Sequence, residues 1–144
     1  MIDQHPVPQA GAIPWRWFEA RLEVLLITNT NATRWQVPKG NIDPFETPIQ
    51  AAAKECYEEA GIIGEVHHRP VGNWIYSKRG MLYIVDVYPL HVTEILTTYP
   101  EHGMRERVWV EARRAGKQVK DHGLRELVDT LPLFLARHGL LRAA

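Results

Sequence analysis

The chain has 144 residues, a formal net charge of zero and one cysteine, with 45% hydrophobic and 24% charged residues. This length is enough for a hydrophobic core, so we expect residues 1–144 to form a single domain, with residues 1–8 as a flexible lead-in. The balanced charge argues against an extended nucleic-acid surface. No apolar run approaches the ~18 residues of a membrane span, and a lone cysteine excludes an internal disulfide, so we expect a cytoplasmic protein with no membrane partner.

Hydrophobic patterning predicts strands along most of the chain. The first is expected at about 10–18, where Pro14 indicates an edge position or a bulge. A continuous apolar run predicts a second strand at 22–28 that is buried on both faces. Further extended segments are predicted, at 62–74 with a break at Pro70, at 81–92 and at 107–110. Residues 111–119 are expected to be helical, and Leu124, Leu127, Val128 and Leu131 predict an amphipathic helix at 122–137.

The clearest helix signal begins at Thr47. Thr47 is a favourable N-cap, Pro48 suits the first helical position, and Gln50 completes a capping-box pattern. Gly61 is a natural C-terminal stop. The helix is therefore predicted at 48–60.

This helix carries three carboxylates on one face. Glu55, Glu58 and Glu59 lie at spacings of three and four, which align side chains on a helix. In a partly desolvated cleft, two carboxylates ~5.5 Å apart repel each other by roughly 3 kcal/mol. A hard divalent cation such as Mg²⁺ would offset that repulsion, because it prefers oxygen ligands. The alternative is a solvated acidic face on a protein-interaction domain.

The segment GNIDPFETPIQAAAKECYEEAGI resembles the Nudix box, in which a glycine, five residues, Glu and seven residues precede an Arg-Glu-aliphatic-any-Glu-Glu-any-Gly-aliphatic sequence. The matching residues are Gly40, Glu46, Glu55, Glu58, Glu59, Gly61 and Ile62. The chain is similar to Nudix hydrolases over nearly its whole length. The resemblance implies an α/β fold, the Nudix α/β/α sandwich, in which a mixed sheet is flanked by the Nudix helix and a C-terminal helix.

Two positions depart from the box. Lys54 stands where the family has Arg, so the charge is kept but the planar fork that can hold two carboxylates is lost. Cys56 stands where a larger aliphatic residue is usual. Because Cys56 faces the predicted core, we interpret it as a buried, inert thiol.

Within the family, the chain most resembles the branch of diphosphoinositol and diadenosine polyphosphate phosphohydrolases. The resemblance is carried by AGAIPWR, LEVLLIT, RWQVPKG and YPEHGMRERVWV. It implies a small-molecule polyphosphate substrate and allows a homodimer. Candidate basic substrate contacts are Arg16, Arg21, Lys39, Lys78, Arg79, Arg105 and Arg107. Lys39 is favoured among them because it adjoins the first glycine of the box.

The family mechanism implies roles for the box residues. Glu58, Glu59 and the carbonyl of Gly40 are expected to bind Mg²⁺, with Mn²⁺ as an alternative. Glu55 is expected to bind a second metal or to orient the attacking water, and Glu46 to support the loop. Many family members also use an acid outside the box, for which Glu101 is the first candidate.

Glu106 is the second candidate for that acid. The predicted function is Mg²⁺-dependent hydrolysis of a phosphoanhydride bond in a nucleoside diphosphate linked to another group X, or in a related dinucleoside or inositol polyphosphate. The alternative is a catalytically weak Nudix module that binds a ligand as a sensor. The substitution of Lys54 is the feature that favours this alternative.

Overall fold

The computed structural model describes residues 5–141, which form a mixed eight-stranded sheet with helices on both faces. The strands are β1 (Val7–Phe18), β2 (Arg21–Thr28), β3 (Trp35–Gln36), β4 (Lys39–Asn41), β5 (Ile62–Val66), β6 (Gly72–Lys78), β7 (Met81–Ile95) and β8 (Arg107–Glu111). The helices are α1 (Pro48–Ala60), α2 (Ala112–Ala115) and α3 (His122–Arg137), and a 3₁₀ turn, Gly116–Gln118, lies between α2 and α3. None of the described helices combines the length and the apolar character that a membrane crossing requires.

The two central strands, β1 and β7, run parallel to each other, and the other strand pairs are antiparallel. On the side that faces away from the other central strand, each central strand pairs with two shorter partners in succession. β4 and β2 pair with successive parts of β1, and β6 and β5 pair with successive parts of β7. This division places the short strand β4 directly beside the start of β1, where the candidate site lies.

The expected edge position of Pro14 is wrong, because β1 is central. Its pairing with β4 ends at Gly11 and its pairing with β2 begins at Trp15. Pro14 lies in the interval between these two partners. A proline, which has no N–H to donate, is therefore accommodated inside a central strand.

β1 also begins earlier than predicted. It starts at Val7, which pairs with Tyr83 of β7, so residues 7 and 8 are not part of a flexible lead-in. Residues 1–4 lie outside the described residues. The segment predicted as extended at 62–74 is divided into β5 and β6 by a loop that contains Pro70. β7 continues to Ile95 and is longer than predicted.

Alternation along the strands divides the core into two layers. Val24 and Leu26 of β2 belong to the cluster that contains Leu124, Val128, Leu131 and Leu135 of α3. Leu25 and Ile27 belong to the cluster that contains Ala51, Ala52, Cys56 and Ala60 of α1. β2 is thus buried on both faces, as predicted. The predicted α/β/α sandwich is confirmed.

The bounds predicted for α1 and α3 are also confirmed. The Thr47 hydroxyl accepts from the backbone N–H of Gln50 at 3.1 Å, and the Gln50 side chain accepts from the backbone N–H of Thr47 at 2.9 Å. Gly61 ends α1 in the left-handed conformation, at φ 66°. α3 continues past Pro132 to Arg137. In the region predicted as helical before α3, α2 and the 3₁₀ turn are present.

Candidate active site

The acidic face of α1 lies against the backbone of β4. The Glu59 carboxylate accepts a hydrogen bond from the backbone N–H of Lys39 at 3.2 Å. Next along β4, Gly40 leaves room for the Glu55 carboxylate, because a Cβ at position 40 would overlap it. Glycine at this position therefore lets β4 and the Glu55 carboxylate approach each other closely.

The environment of Glu55 and Glu59 disfavours the ionised form of both carboxyls. Burial raises the pKa of Glu55 to about 7, and the charges of Glu59 and Glu58 add to this effect. Burial also raises the pKa of Glu59 to about 7, although Arg105 and the N–H of Lys39 oppose the rise. A nearby cation would favour the ionised forms of these two carboxyls, so their environment suits a cation-binding site.

The loop between β7 and β8 brings a fourth carboxylate to this region. The backbone N–H of Glu101 donates to the carbonyl of Glu58 at 2.9 Å. The charge of Glu101 contributes to the raised pKa values of Glu55 and Glu59. The side chain of Glu106 is exposed, and its backbone N–H bonds to the Thr28 hydroxyl at 3.1 Å. Of the two acids considered outside the box, Glu101 is the one beside the cluster.

Two basic side chains face these carboxylates. The Lys39 ammonium donates to the Tyr76 hydroxyl at 2.9 Å, and burial lowers the pKa of Lys39 even though Glu59 favours its charged form. The Arg105 guanidinium lies 3.5 Å from the Glu59 carboxylate and 3.4 Å from that of Glu101. Arg105 also donates to the Thr28 carbonyl at 3.2 Å, which fixes the side chain across the cleft.

Lys39, Glu59 and Arg105 line a cavity of about 730 Å³. Its other walls include the aromatic side chains of Trp35, Trp74 and Tyr76, and the basic side chains of Arg34 and Lys78. The cavity therefore combines carboxylates, cations and aromatic surface. Such a cleft can accept an anionic ligand that also carries an apolar part.

The residues present suit a hard divalent cation. Among residues 5–141, no three His, Cys, Asp or Glu side chains are arranged as a complete metal-ligand set. Mg²⁺ does not require one, because it is commonly held by one or two carboxylates together with water and substrate phosphates. Glu55 and Glu59 supply such carboxylates, with raised pKa values that a cation would lower.

Comparison with known proteins identifies the family. The sequence model of one protein family, the NUDIX domain, matches residues 8–131. The chain belongs to the Nudix hydrolase family. It is similar to "Nudix hydrolase 17, mitochondrial" of Arabidopsis thaliana, with 32% identity over 130 residues that cover 84% of this chain and 71% of the relative. It is also similar to diphosphoinositol polyphosphate phosphohydrolase 2 of Rattus norvegicus, with 37% identity over 103 residues, 69% of this chain and 56% of the relative.

A solved structure of the C. elegans Ap4A hydrolase, in a binary complex, has a TM-score of 0.77 and 27% identity, and the match covers 91% of this chain and 98% of that chain. These likenesses confirm the predicted resemblance to the diphosphoinositol and diadenosine polyphosphate branch of the Nudix family. They also confirm the predicted fold class.

Four of the seven basic residues predicted as substrate contacts in this Nudix hydrolase do not line the cleft, namely Arg16, Arg21, Arg79 and Arg107. Arg16 pairs with Glu23 on the neighbouring strand at 2.9 Å, and its guanidinium lies 3.9 Å from the centre of the Trp109 ring. Arg21 lines a different cavity, of about 590 Å³. Arg79 occupies the β6–β7 turn at φ 52°. Lys39, Lys78 and Arg105 do line the cleft.

Arg107 has a structural position. Its guanidinium donates to the Ala60 carbonyl and to the Leu96 carbonyl, each at 2.7 Å. Ala60 is the last residue of α1, whose terminal carbonyls have no partner inside the helix. Arg107 therefore fixes the C-terminal end of the Nudix helix rather than contacting the cleft.

Lys54 connects the box loop to the acidic face of α1. Its ammonium lies 2.7 Å from the Asp43 carboxylate, 3.1 Å from that of Glu46 and 3.8 Å from that of Glu55. The hydrogen bond to Asp43 is the main cause of a raised Lys54 pKa. The Glu46 carboxylate also accepts from the backbone N–H of Asp43 at 2.9 Å, so it supports the loop.

Cys56 lies on the opposite side of the same helix. It is fully buried, and burial raises the pKa of its thiol. The interpretation of Cys56 as an inert thiol agrees with this environment, because the thiolate is the nucleophilic form.

Lys78 of β6 was predicted as a substrate contact, but Tyr76 of the same strand was missed. Trp74, Tyr76 and Lys78 all line the cleft, at a spacing of two that places them on one face of the strand. That alternation is visible in GNWIYSK and is the signal that could have identified Tyr76. Arg34 was also missed, because its contribution depends on how the loop between β2 and β3 folds.

Proposed function

We propose that this Nudix hydrolase is a Mg²⁺-dependent pyrophosphohydrolase that cleaves a phosphoanhydride bond in a nucleoside diphosphate linked to X, or in a related polyphosphate. The observation that carries the proposal is the pair Glu55 and Glu59, whose pKa values are raised to about 7 beside β4. Beside Glu59, Lys39 and Arg105 provide positive charge for phosphate oxygens, and all three residues line the same cleft. Carboxylates for a cation and basic groups for phosphate are therefore adjacent, as a phosphoanhydride site requires.

In this proposal, Glu58, Glu59 and the carbonyl of Gly40 hold Mg²⁺, and Mn²⁺ is an alternative. The cation would neutralise phosphate oxygens and lower the pKa of a bound water. Glu55 either holds a second cation or accepts a proton from the attacking water at a carboxylate oxygen.

The basic residues would orient the substrate. Lys39 and Arg105 both lie close to Glu59, so phosphate groups bound to them would be adjacent to the carboxylates. Lys78, further along the cleft, would extend this positive surface. Arg105 is held by Thr28 and Glu101, so its orientation is set before a ligand binds.

The cleft supports a nucleotide rather than an inositol polyphosphate as the substrate. Trp35 and Tyr76, which are both partly exposed, supply aromatic surface against which a base can stack. An inositol polyphosphate carries no such ring and would use charge alone. The relatives of this chain include a diphosphoinositol polyphosphate phosphohydrolase and an Ap4A hydrolase, so both classes belong in the test.

The test is turnover with Mg²⁺ against diadenosine polyphosphates, ADP-ribose, nucleoside triphosphates, 5′-triphosphate RNA and diphosphoinositol phosphates. Glu59→Gln is the control variant, because it keeps the side-chain shape and removes the charge. We expect turnover of a nucleotide and its loss in Glu59→Gln. Equal activity in wild type and variant would contradict the assignment of Glu59.

A ligand-binding sensor is the second candidate, and Lys54 is the observation that favours it. Lys54 reaches Glu55 only at 3.8 Å, so the position of Glu55 is less firmly fixed by this contact than by a hydrogen bond. Binding of Mg²⁺ and of a nucleotide, without turnover of any substrate in the panel, would support the sensor.

We also propose a cellular location, a domain organisation and an assembly for the protein. A single buried cysteine suits a reducing compartment such as the cytoplasm. We further propose one domain over residues 1–144 and a homodimer as the assembly. Cell fractionation and light scattering would test the location and the assembly.

A further inference from the structure

A line of hydrogen bonds runs from the cleft into the sheet. The Lys39 ammonium donates to the Tyr76 hydroxyl at 2.9 Å, and that hydroxyl donates to the Gln9 side-chain oxygen at 2.7 Å. The Gln9 side-chain nitrogen then donates to the Asn41 side-chain oxygen at 2.9 Å. Four residues from three strands, β1, β4 and β6, are joined in this way.

Each link fixes the direction of the next one. Asn41 accepts from the Gln9 nitrogen, so the Gln9 oxygen faces Tyr76. The Tyr76 proton is used toward Gln9, so only its lone pairs remain for Lys39. Gln9 is 7% exposed and lies in the register position opposite Asn41, which leaves it little freedom to turn.

The line holds the Lys39 ammonium on the Tyr76 side of the cleft. The ammonium lies 4.4 Å from the centre of the Tyr76 ring, a second attraction in the same direction. Glu59 accepts from the backbone N–H of Lys39. Within residues 5–141, however, the Lys39 ammonium forms no salt bridge with Glu59 or with any other carboxylate.

We propose that Tyr76 and Gln9 are positioning residues that keep the Lys39 ammonium from pairing with Glu59. A long, flexible lysine beside a buried carboxylate would otherwise form an ion pair with it. Such a pair would remove Lys39 from the phosphate and Glu59 from the cation. The Tyr76 hydroxyl prevents both losses with one contact. This inference rests on the proposed function, because it assumes that Lys39 meets phosphate and Glu59 meets a metal.

The test compares Tyr76→Phe with Tyr83→Phe. Tyr83 stacks on Tyr76 with ring centres 5.0 Å apart, and its hydroxyl makes no hydrogen bond within residues 5–141, so it is a matched control. Tyr76→Phe keeps the ring and removes the hydroxyl. We expect its kcat/KM to fall about tenfold, mostly through KM, because a hydrogen bond to a charged group is lost. Tyr83→Phe should stay within about twofold of wild type.

A double-mutant cycle with Lys39→Met separates positioning from general damage. If Tyr76 acts through Lys39, adding Tyr76→Phe to Lys39→Met should produce no further loss. A purely structural role would give additive losses, and that result would overturn the inference. Gln9→Met is a second variant that removes the acceptor for Tyr76, and it should shift KM in the same direction.

Binding of Mn²⁺ to the protein, measured by calorimetry, tests the inference without turnover. Tyr76→Phe should weaken Mn²⁺ binding about three- to tenfold, because the freed ammonium would pair with Glu59. The double variant with Lys39→Met should recover the wild-type affinity. Unchanged Mn²⁺ affinity in Tyr76→Phe would overturn the inference. If Mn²⁺ binding changes as expected but no substrate is turned over, only the proposed function fails.

Discussion

The Glu55 carboxylate occupies the space directly beside Gly40, where any larger residue would place its Cβ. Gly40→Ala should therefore displace the Glu55 side chain from its position beside β4. We expect kcat to fall by about 100-fold, as for other misplaced active-site groups. The free energy of unfolding should fall by no more than about 1 kcal/mol, because the overlapped atoms are the end of the flexible Glu55 side chain, which can turn away. Steady-state kinetics and urea denaturation measure the two effects.

Removing the Glu55 side chain provides the control. In a Glu55→Ala background the overlap disappears, so Gly40→Ala should destabilise the protein much less. Activity should remain low in the double variant, because Glu55 is absent. An equal loss of stability in both backgrounds would show that the Glu55 carboxylate is not what Gly40 accommodates.

The raised pKa values of Glu55 and Glu59 predict a pH dependence of stability. Both pKa values are about 7 in the folded protein, above the ordinary value of 4.5, so folding favours the protonated forms. The resulting stabilisation is fully present below pH 4.5 and is lost as the pH rises through 7. We expect the free energy of unfolding of the metal-free protein to fall by on the order of 1–2 kcal/mol between pH 5 and pH 8, after allowance for solvent screening.

Thermal denaturation with a chelator, followed across this pH range, measures the effect. Mg²⁺ should reduce the slope, because it binds the ionised carboxylates. Glu59→Gln should also reduce it and should raise the stability at pH 8. If Glu59→Gln has the same pH slope as wild type, Glu59 does not titrate in this range.

The Nudix helix could be predicted from sequence because its signals are local. Thr47, Gln50 and Gly61 act within one turn of the helix ends, and the glutamate spacing sets one face directly. The buried strand β2 was predicted for a similar reason, from one continuous apolar run.

The cleft residues could not be sorted in this way, because distant contacts decide their roles. Arg105 and Arg107 lie two residues apart, yet Arg105 reaches Thr28 from 77 positions away and Arg107 caps α1 from 47 positions away. Tyr76 meets Gln9 from 67 positions away. Sequence spacing holds no information about such pairs. A basic residue that lines the cleft therefore cannot be distinguished from sequence alone from one that caps a helix.

Substitutions of Lys54 test the effect of having Lys where the Nudix box has Arg. Its ammonium is shared among Asp43, Glu46 and Glu55, so Lys54→Met should release the box loop and loosen Glu55. We expect kcat to fall by about tenfold with little change in KM, because a positioning contact is lost. Lys54→Arg should match or exceed wild type, because a guanidinium fork can hold two carboxylates. Steady-state kinetics of the two variants tests this, and equal losses in both would contradict it.

Arg105 and Arg107 should give opposite results. Arg107→Met removes the donor for two carbonyls, that of Ala60 at the end of α1 and that of Leu96. The free energy of unfolding should therefore fall by about 2–3 kcal/mol. Its KM should change little. Arg105→Met should instead raise KM or lower kcat, since Arg105 lines the cleft beside Glu59. Urea denaturation and kinetics on both variants separate the roles, and a normal stability for Arg107→Met would show that this cap is dispensable.

Lys78 and Arg21 are a matched pair of exposed basic residues in two different cavities. Lys78 lines the cleft with Glu59, and Arg21 lines the second cavity near Trp17. Lys78→Ala should raise KM about three- to tenfold, because one contact between a charge and the substrate is lost from a partly solvated site. The increase should shrink at high salt, where exposed charges are screened. Arg21→Ala should leave KM within about twofold of wild type at either salt concentration. A rise in KM for Arg21→Ala alone would place the substrate in the second cavity and overturn the choice of cleft.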